Sequence, residues 1–400
     1  MQKSATFEAI SAQKKFSPWP YFDEEDLAAV EAVLRSGKTN YWTGEEGRKF
    51  EQEYAEYVGT KHAIALANGS VALELALRVL GIGEGDEVVT TTRSFIASAS
   101  CAVMVGAKPV IADVDRDSQN ITAETIRAKI TPRTRAIIAV HLAGWPCDMD
   151  PILAIARERN LRVIEDCAQA HGARYKGKPV GSIGDVGTFS FCQDKIITTG
   201  GEGGMITLSD EAQWKLGWSF KDHGKSYDAV YHQKHPPGFR WLHESFGTNW
   251  RLTEMQAVLG RNALRRLDNW VAIRRRNAEI LRSAFTKLSA IRVPHAPADI
   301  HHSYYKFYAF VEPRALKSGW TRDRIMQEIN DRGVPCFVGS CSEFYLEKAF
   351  TSSAYECSPV PVARELGATS LMFLVHPTLN EDEMASMVEV AVEVLGSATR

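Results

Sequence analysis

The segment AIIAVHLAGWPCDMDPILAIARERNLRVIEDCAQAHG, residues 136–172, sets the reading of the whole chain. It opens on an apolar, β-branched run, Ala136–His141, passes through a helical pattern, Pro151–Arg159, and closes on a second apolar run, Arg162–Glu165. Strand, helix-length crossover and strand make a βαβ unit, whose strands lie parallel in a sheet covered on both faces.

The same alternation extends outward. Upstream lie the runs His62–Ala67, Glu87–Thr91 and Pro109–Asp113, with helical patterns at Val71–Leu80 and Phe95–Val105; downstream lie Gly187–Phe191 and Gly204–Leu208. After Arg251 the texture changes. Leu252–Phe285 reads as one long helix or two consecutive ones, followed by strands in Ser303–Val311, a helix at Arg322–Asp331 and a terminal helix at Asp382–Leu395. The expected fold is therefore α/β: a large domain, 1–265, with a mainly parallel central sheet flanked by helices, and a smaller α+β domain, 266–400.

Composition narrows the function classes. The 400 residues carry a formal net charge of −2, so no global charge recruits nucleic acid or an anionic membrane. Arg274-Arg275-Arg276 reads as a solvated helix face. The first twenty residues lack the apolar run of a signal peptide and no later stretch is long enough to span a bilayer, which points to the cytoplasm. Seven scattered cysteines contain no Cys-x-x-Cys pair and read as reduced thiols. No metal is expected: His232-x-x-His235 is followed at once by Pro236-Pro237 and reads as a surface loop. The stretch Trp214–Trp250, dense in aromatic residues and histidine, is either a functional loop or an aromatic cluster over the sheet edge.

Four short motifs carry chemistry. Asn68-Gly69-Ser70 stands between strand and helix, where Ser70 can cap the helix and free N–H groups suit a phosphate. Glu165-Asp166-Cys167-Ala168-Gln169 ends a strand at the edge where α/β sheets bind ligands, with Asp166 at the tip and Glu165 facing the other way. Ser190-Phe191-Cys192-Gln193-Asp194-Lys195 follows the next strand and brings a lysine to the same crevice. Thr198-Thr199-Gly200-Gly201-Glu202-Gly203-Gly204 is glycine-rich, but no Gly-Lys-Ser/Thr ending makes it a nucleotide triphosphatase loop.

In this order and spacing the motifs resemble the DegT/DnrJ/EryC1/StrS sugar aminotransferases, fold-type I enzymes of pyridoxal phosphate. The resemblance runs from about Tyr41 to Leu267, through NGSVALELAL, GIGEGDEVVT, GAKPVIADVD, AVHLAGWPCDMD, VIEDCAQAHGARYKGKPVGSIGD, FSFCQDKIITTGGEGGM and GTNWRLTEMQAVLG. It implies that Lys195 holds the cofactor as a Schiff base, that Asp166 partners the pyridine nitrogen, and that Gln169 contacts the ring hydroxyl. It implies further that Gly69, Ser70 and Ser190 hold the phosphate, that Phe95 stacks on the ring, and that Asn249 reaches the phosphate of a neighbouring subunit in a homodimer with shared sites.

The activity implied is transfer of the amino group of glutamate to a keto group of a nucleotide-linked sugar, by ping-pong chemistry between pyridoxal and pyridoxamine phosphate. Such a step serves amino-sugar synthesis for lipopolysaccharide, O-antigen or glycosylated metabolites. Lys221, Lys225, Lys234 and Arg240 are candidates to meet the base and diphosphate. The competing readings are a pyridoxamine-phosphate-dependent sugar dehydratase, whose relatives carry histidine in place of the lysine, a non-catalytic cofactor-binding regulator, and an aminotransferase of small keto acids. One departure stands out. Relatives often carry a His-Tyr-x-Pro-x-His-like stretch along the sugar pocket, whereas here the region after Gly333 reads VPCFVGSCSEFY, without those histidines.

Overall fold

A computed structural model describes residues 16–400 apart from residues 354, 356 and 358, so most of the N-terminal segment read for targeting lies outside the described residues. Seven strands form the large sheet in the order His62–Leu66, Gly204–Leu208, Val186–Ser190, Arg162–Asp166, Thr134–Val140, Glu87–Thr91, Lys108–Ala112. All neighbouring pairs from Val186–Ser190 to Lys108–Ala112 are parallel, while Gly204–Leu208 runs antiparallel to both of its neighbours.

Burial on both faces explains the apolar runs. Ile138 and Val140 pack into one core with Leu73 and Leu77 of the helix Gly69–Val79, whereas Ile137 and Ala139 face Ile152 and Ile155 of the helix Met149–Arg159. Successive strand residues thus serve opposite layers. Each such Ile or Val taken fully out of water contributes roughly 1.5–3 kcal/mol.

A second sheet, Ile291–Arg292, Phe307–Val311, Ser370–Phe373 and Cys336–Phe337, is wholly antiparallel. Phe285, Phe307 and Phe373 meet edge-to-face in its core beneath the helices Arg322–Asp331 and Glu381–Ala398. Between the sheets runs one continuous helix, Glu254–Phe285, started by a capping box in which Thr253 and Gln256 bond reciprocally. Its first half buries Ala257, Leu264 and Leu267 in the core of the large sheet; its second half buries Ala278, Leu281 and Phe285 in that of the small one. Residue 265 therefore falls inside a helix that both cores share.

Two expectations are corrected here. Arg274 is not on a solvated face: it is 1% exposed, its Nη1 donating to the Tyr305 carbonyl at 3.2 Å, while Arg275 donates to the His302 carbonyl at 2.9 Å. Only Arg276 of the three is exposed. Nor is Trp214–Trp250 one irregular loop. It contains the end of the helix Glu211–Lys221 and the short helix Tyr227–Tyr231, and there the aromatics cover the sheet edge, Trp214 stacking on His62 at 4.6 Å and Trp218 lying buried. Phe239, Trp241 and Phe246 beyond it stand in solvent. Lys221 and Lys225 are also committed internally, to Glu51 and Asp222, each at 2.9 Å. His232 and His235 bond Asp228 and the Ala229 carbonyl.

Three buried histidines make the fold sensitive to acid. His171 lies between the Tyr54 hydroxyl (2.8 Å) and the Ser190 carbonyl (2.9 Å), and burial lowers its pKa to about 4. Burial likewise lowers His302 and His376 to about 3. Folded and neutral, they bind fewer protons than the unfolded chain below pH 6.5, so their stabilisation is complete above that pH and is lost as pH falls. Urea unfolding at pH 7, 6 and 5 should show stability falling on the order of 2 kcal/mol per histidine by pH 5. A flat profile over that range would contradict neutral burial.

Candidate active site

Past the carboxyl ends of the parallel strands opens a cleft of about 630 Å³, lined by Gln169, Asp194 and Lys195 of the motifs and by Phe95, while Asp166, Gly69, Ser70 and Ser190 lie outside its lining. The strand Arg162–Asp166 ends on Asp166, which is 5% exposed. Its Oδ2 accepts from the Ser98 hydroxyl at 2.8 Å and its Oδ1 from the Ala168 N–H at 3.1 Å. Burial raises its pKa, and the Ser98 and Ala168 hydrogen bonds oppose that rise. Among the described residues Asp166 has no ion-pair partner, an uncommon state for a buried carboxylate and one suited to a cationic ligand atom. Glu165 faces the other side, where it accepts from Ile183 and Gly184 N–H groups and meets His141 Nε2 at 3.1 Å.

Lys195 reaches the cleft from the loop after Val186–Ser190, which is anchored by the fully buried Ile196 and Ile197. Its Nζ donates to Asp194 Oδ1 at 2.9 Å and lies 3.4 Å from the Tyr305 hydroxyl. Tyr305 also donates to the other Asp194 oxygen. Burial raises the Asp194 carboxyl and Lys195 and Tyr305 lower it, the net result lying below its usual range, while burial keeps the Tyr305 phenol well above its own. The loop is also pinned from outside by Trp19, whose indole N–H donates to the Lys195 carbonyl at 2.9 Å.

Gln169 lines the same cleft and is oriented by the Ala143 N–H at 2.9 Å. Phe95 stands over it, 69% exposed, with Ser94 bonded through Ser98 to Asp166. Gly69 and Ser190 meet one another: a Cβ on Gly69 would lie 2.6 Å from the Ser190 Cβ. Asn68, not Ser70, caps the helix Gly69–Val79, its carboxamide oxygen accepting from Val71 N–H, so the Gly69 and Ser70 N–H groups remain without intrahelical carbonyls. Only Gly admits that close approach, and it leaves a turn with two free N–H groups beside Ser190, a polarity that suits an anion. Asn249 does not join the cleft of its own chain; it is exposed and pairs with Asp222.

The opposite wall comes from the small sheet. Phe337, Gly339, Cys341 and Phe344, all from the stretch that lacks the family's histidines, face Lys195 and Tyr305. Gly339 has φ +82° and a Cβ there would strike the Tyr308 ring. Arg93, fully buried, holds the wall to the large sheet by donating to Ser342 Oγ and Gln119 Oε1. Sequence reading missed Tyr305, Ser98, Arg93 and Lys306. For Lys306 the signal was visible: a lysine set inside the aromatic strand run Tyr304–Tyr308.

The model of the DegT/DnrJ/EryC1/StrS aminotransferase family matches residues 20–392. The chain is 37% identical over 361 residues to the GDP-perosamine synthase of Caulobacter vibrioides, covering 88% of this chain and 92% of that one. It is 35% identical over 391 residues to the UDP-N-acetyl-3-dehydro-alpha-D-glucosamine 3-aminotransferase of Acidithiobacillus ferrooxidans, covering 98% of each. The crystal structure of an aminotransferase from Psychrobacter cryohalolentis superposes with a TM-score of 0.94 at 56% identity, covering 96% of this chain and all of that one. The chain belongs to the DegT/DnrJ/EryC1/StrS aminotransferase family.

Proposed function

We propose that the protein transfers the amino group of glutamate to a keto group of a nucleotide-linked sugar, using pyridoxal phosphate, with Lys195 as the lysine that carries the cofactor. The observation that carries the reading is the buried, cation-free Asp166 carboxylate at the strand tip, joined through Ser98 to Ser94, which lines the cleft together with Lys195. The residues fit the cofactor. Asp166 supplies the counter-charge for a protonated ring nitrogen, Gln169 a polar contact, Phe95 a ring face, and Gly69, Ser70 and Ser190 a phosphate cradle. Bound pyridoxal phosphate supplies an electron sink and a carrier for the amino group.

The chain's own groups do the rest. Lys195 Nζ, steered by Asp194 and the Tyr305 hydroxyl, takes a proton from the donor Cα and passes it on within that half-reaction, and in the return half-reaction it delivers a proton to the sugar carbon that receives the amino group. Asp166 keeps the ring nitrogen cationic, since a buried carboxylate gains most from a fixed positive partner. Lys195 also favours this reading over the dehydratase. The small-sheet wall from Phe337 to Phe344 sets the sugar, and Lys234 and Arg240, both exposed, are the remaining loop cations for its diphosphate. Asn249 reaches the phosphate of a second subunit in a homodimer, and the two domains, 1–265 and 266–400, share the helix Glu254–Phe285. Among the described residues no helix is long and apolar enough to cross a membrane. A cytoplasmic place in surface-polysaccharide or glycosylated-metabolite synthesis completes the proposal.

Absorption spectra test it. The purified protein should show a visible lysine-bound cofactor band that glutamate converts to a near-ultraviolet one, and Lys195→Ala should show neither the band nor the conversion. No lysine-dependent band at saturating pyridoxal phosphate would overturn the reading. Asp166→Asn should retain the visible band yet slow the glutamate conversion by about 100-fold or more in stopped-flow absorbance. Subunit sharing is tested by mixing inactive Lys195→Ala and Asn249→Ala chains after unfolding and reassembly. Mixed dimers keep one intact site, so activity should recover to roughly a quarter of wild type; no recovery would place Asn249 outside the partner's site.

A further inference from the structure

Lys306 interrupts the aromatic run Tyr304-Tyr305-Lys306-Phe307-Tyr308 at the start of a strand whose next five residues are all buried. It lines the cleft beside Lys195 and Tyr305, partly buried, with Nζ 4.7 Å from the centre of the Tyr305 ring. Among the described residues it donates no hydrogen bond and forms no ion pair. Behind it lies the fully buried Arg274, whose Nη1 holds the Tyr305 carbonyl while Nε and Nη2 have no partner. The carboxylate facing this group is Asp194, already engaged by Lys195 Nζ and the Tyr305 hydroxyl. Glu347 is exposed at the edge of the cleft.

Such a concentration of positive charge out of water is unfavourable unless an anion completes it. Burial lowers the Lys306 pKa to about 8, with Arg274 and Lys195 pushing in the same direction and Asp194 against them, and a bound anion would favour its charged form. The position selects the ligand. Lys195 Nζ works at the donor Cα, and the α-carboxylate is one bond from that carbon. A nucleotide sugar brings hydroxyls and ring carbons to the same point, and its diphosphate lies across the ring. The cofactor phosphate has its cradle at Gly69, Ser70 and Ser190.

We propose that Lys306 binds a carboxylate of the amino donor, a dicarboxylate of the glutamate class, and so selects the donor in the half-reaction that loads the enzyme. The inference rests on the aminotransferase reading above. The test uses cofactor-loaded full-length wild type, Lys306→Met and Lys306→Arg, with Lys306→Gln should the methionine variant not fold. Spectral titration gives the apparent Kd for glutamate and the limiting conversion rate; calorimetry gives the Kd for 2-oxoglutarate; separate titrations give cofactor affinity and the sugar-nucleotide KM. Lys306→Met should weaken glutamate and 2-oxoglutarate by about 10-fold or more, with limiting rate, cofactor Kd and sugar KM changed by less than about threefold, and Lys306→Arg should restore most of the loss. Unchanged donor constants would overturn the proposal. So would a loss confined to the sugar KM, which assigns the cation to the sugar nucleotide, or to cofactor affinity, which assigns it to the phosphate. Failure of glutamate to alter the wild-type spectrum would sink the aminotransferase reading itself.

Discussion

A carboxylate removed from water has to be held, and the structure is organised around holding one at Asp166. Its two oxygens take a hydroxyl and a backbone N–H but no cation. Those donors come from different places, Ser98 from the helix Ala97–Met104 and Ala168 from the turn just past the strand. Both arrive because parallel strands end along one edge, with the crossover helices starting there. The Lys195 loop leaves that edge from the neighbouring strand, and the Gly69 turn meets Ser190 at the end of that same strand. The large sheet thus positions Asp166, the Lys195 loop and the Gly69 turn, and Tyr305 joins them from outside it.

The small sheet has a different task. It contributes Tyr305 and Lys306 on the near wall and Phe337 to Phe344 on the far one. Arg93 bonds Ser342 from the loop that also carries Phe95, so the far wall is registered against the cofactor side of the cleft. A buried guanidinium without a carboxylate is tolerated because Gln119 and Ser342 satisfy its N–H groups.

What was legible in the sequence was local. Strand runs buried on both faces and motifs tied to strand ends could be read from residue type, which is how Asp166, Gln169 and Lys195 came to one place. What was not legible depended on distant partners. Arg274 looks like any arginine on a polar helix until Tyr305 offers its carbonyl from another segment. Lys221 looks like a ligand cation until Glu51 closes on it from 170 residues away. Asn68, rather than Ser70, caps its helix because the cap depends on backbone angles that residue type alone leaves open. The aromatic stretch after Trp214 gave mixed signals because half of it covers a sheet edge and half does not.

The helix Glu254–Phe285 acts as a lever as well as a tie. At 1.5 Å per residue its 32 residues extend about 48 Å, and about two thirds of the way along Arg274 grips the Tyr305 carbonyl. A bend of about 5° there would carry the far end, about 30 Å away, through about 2.6 Å, enough to break a hydrogen bond. A single rod seated in both cores leaves the chain no free joint between them.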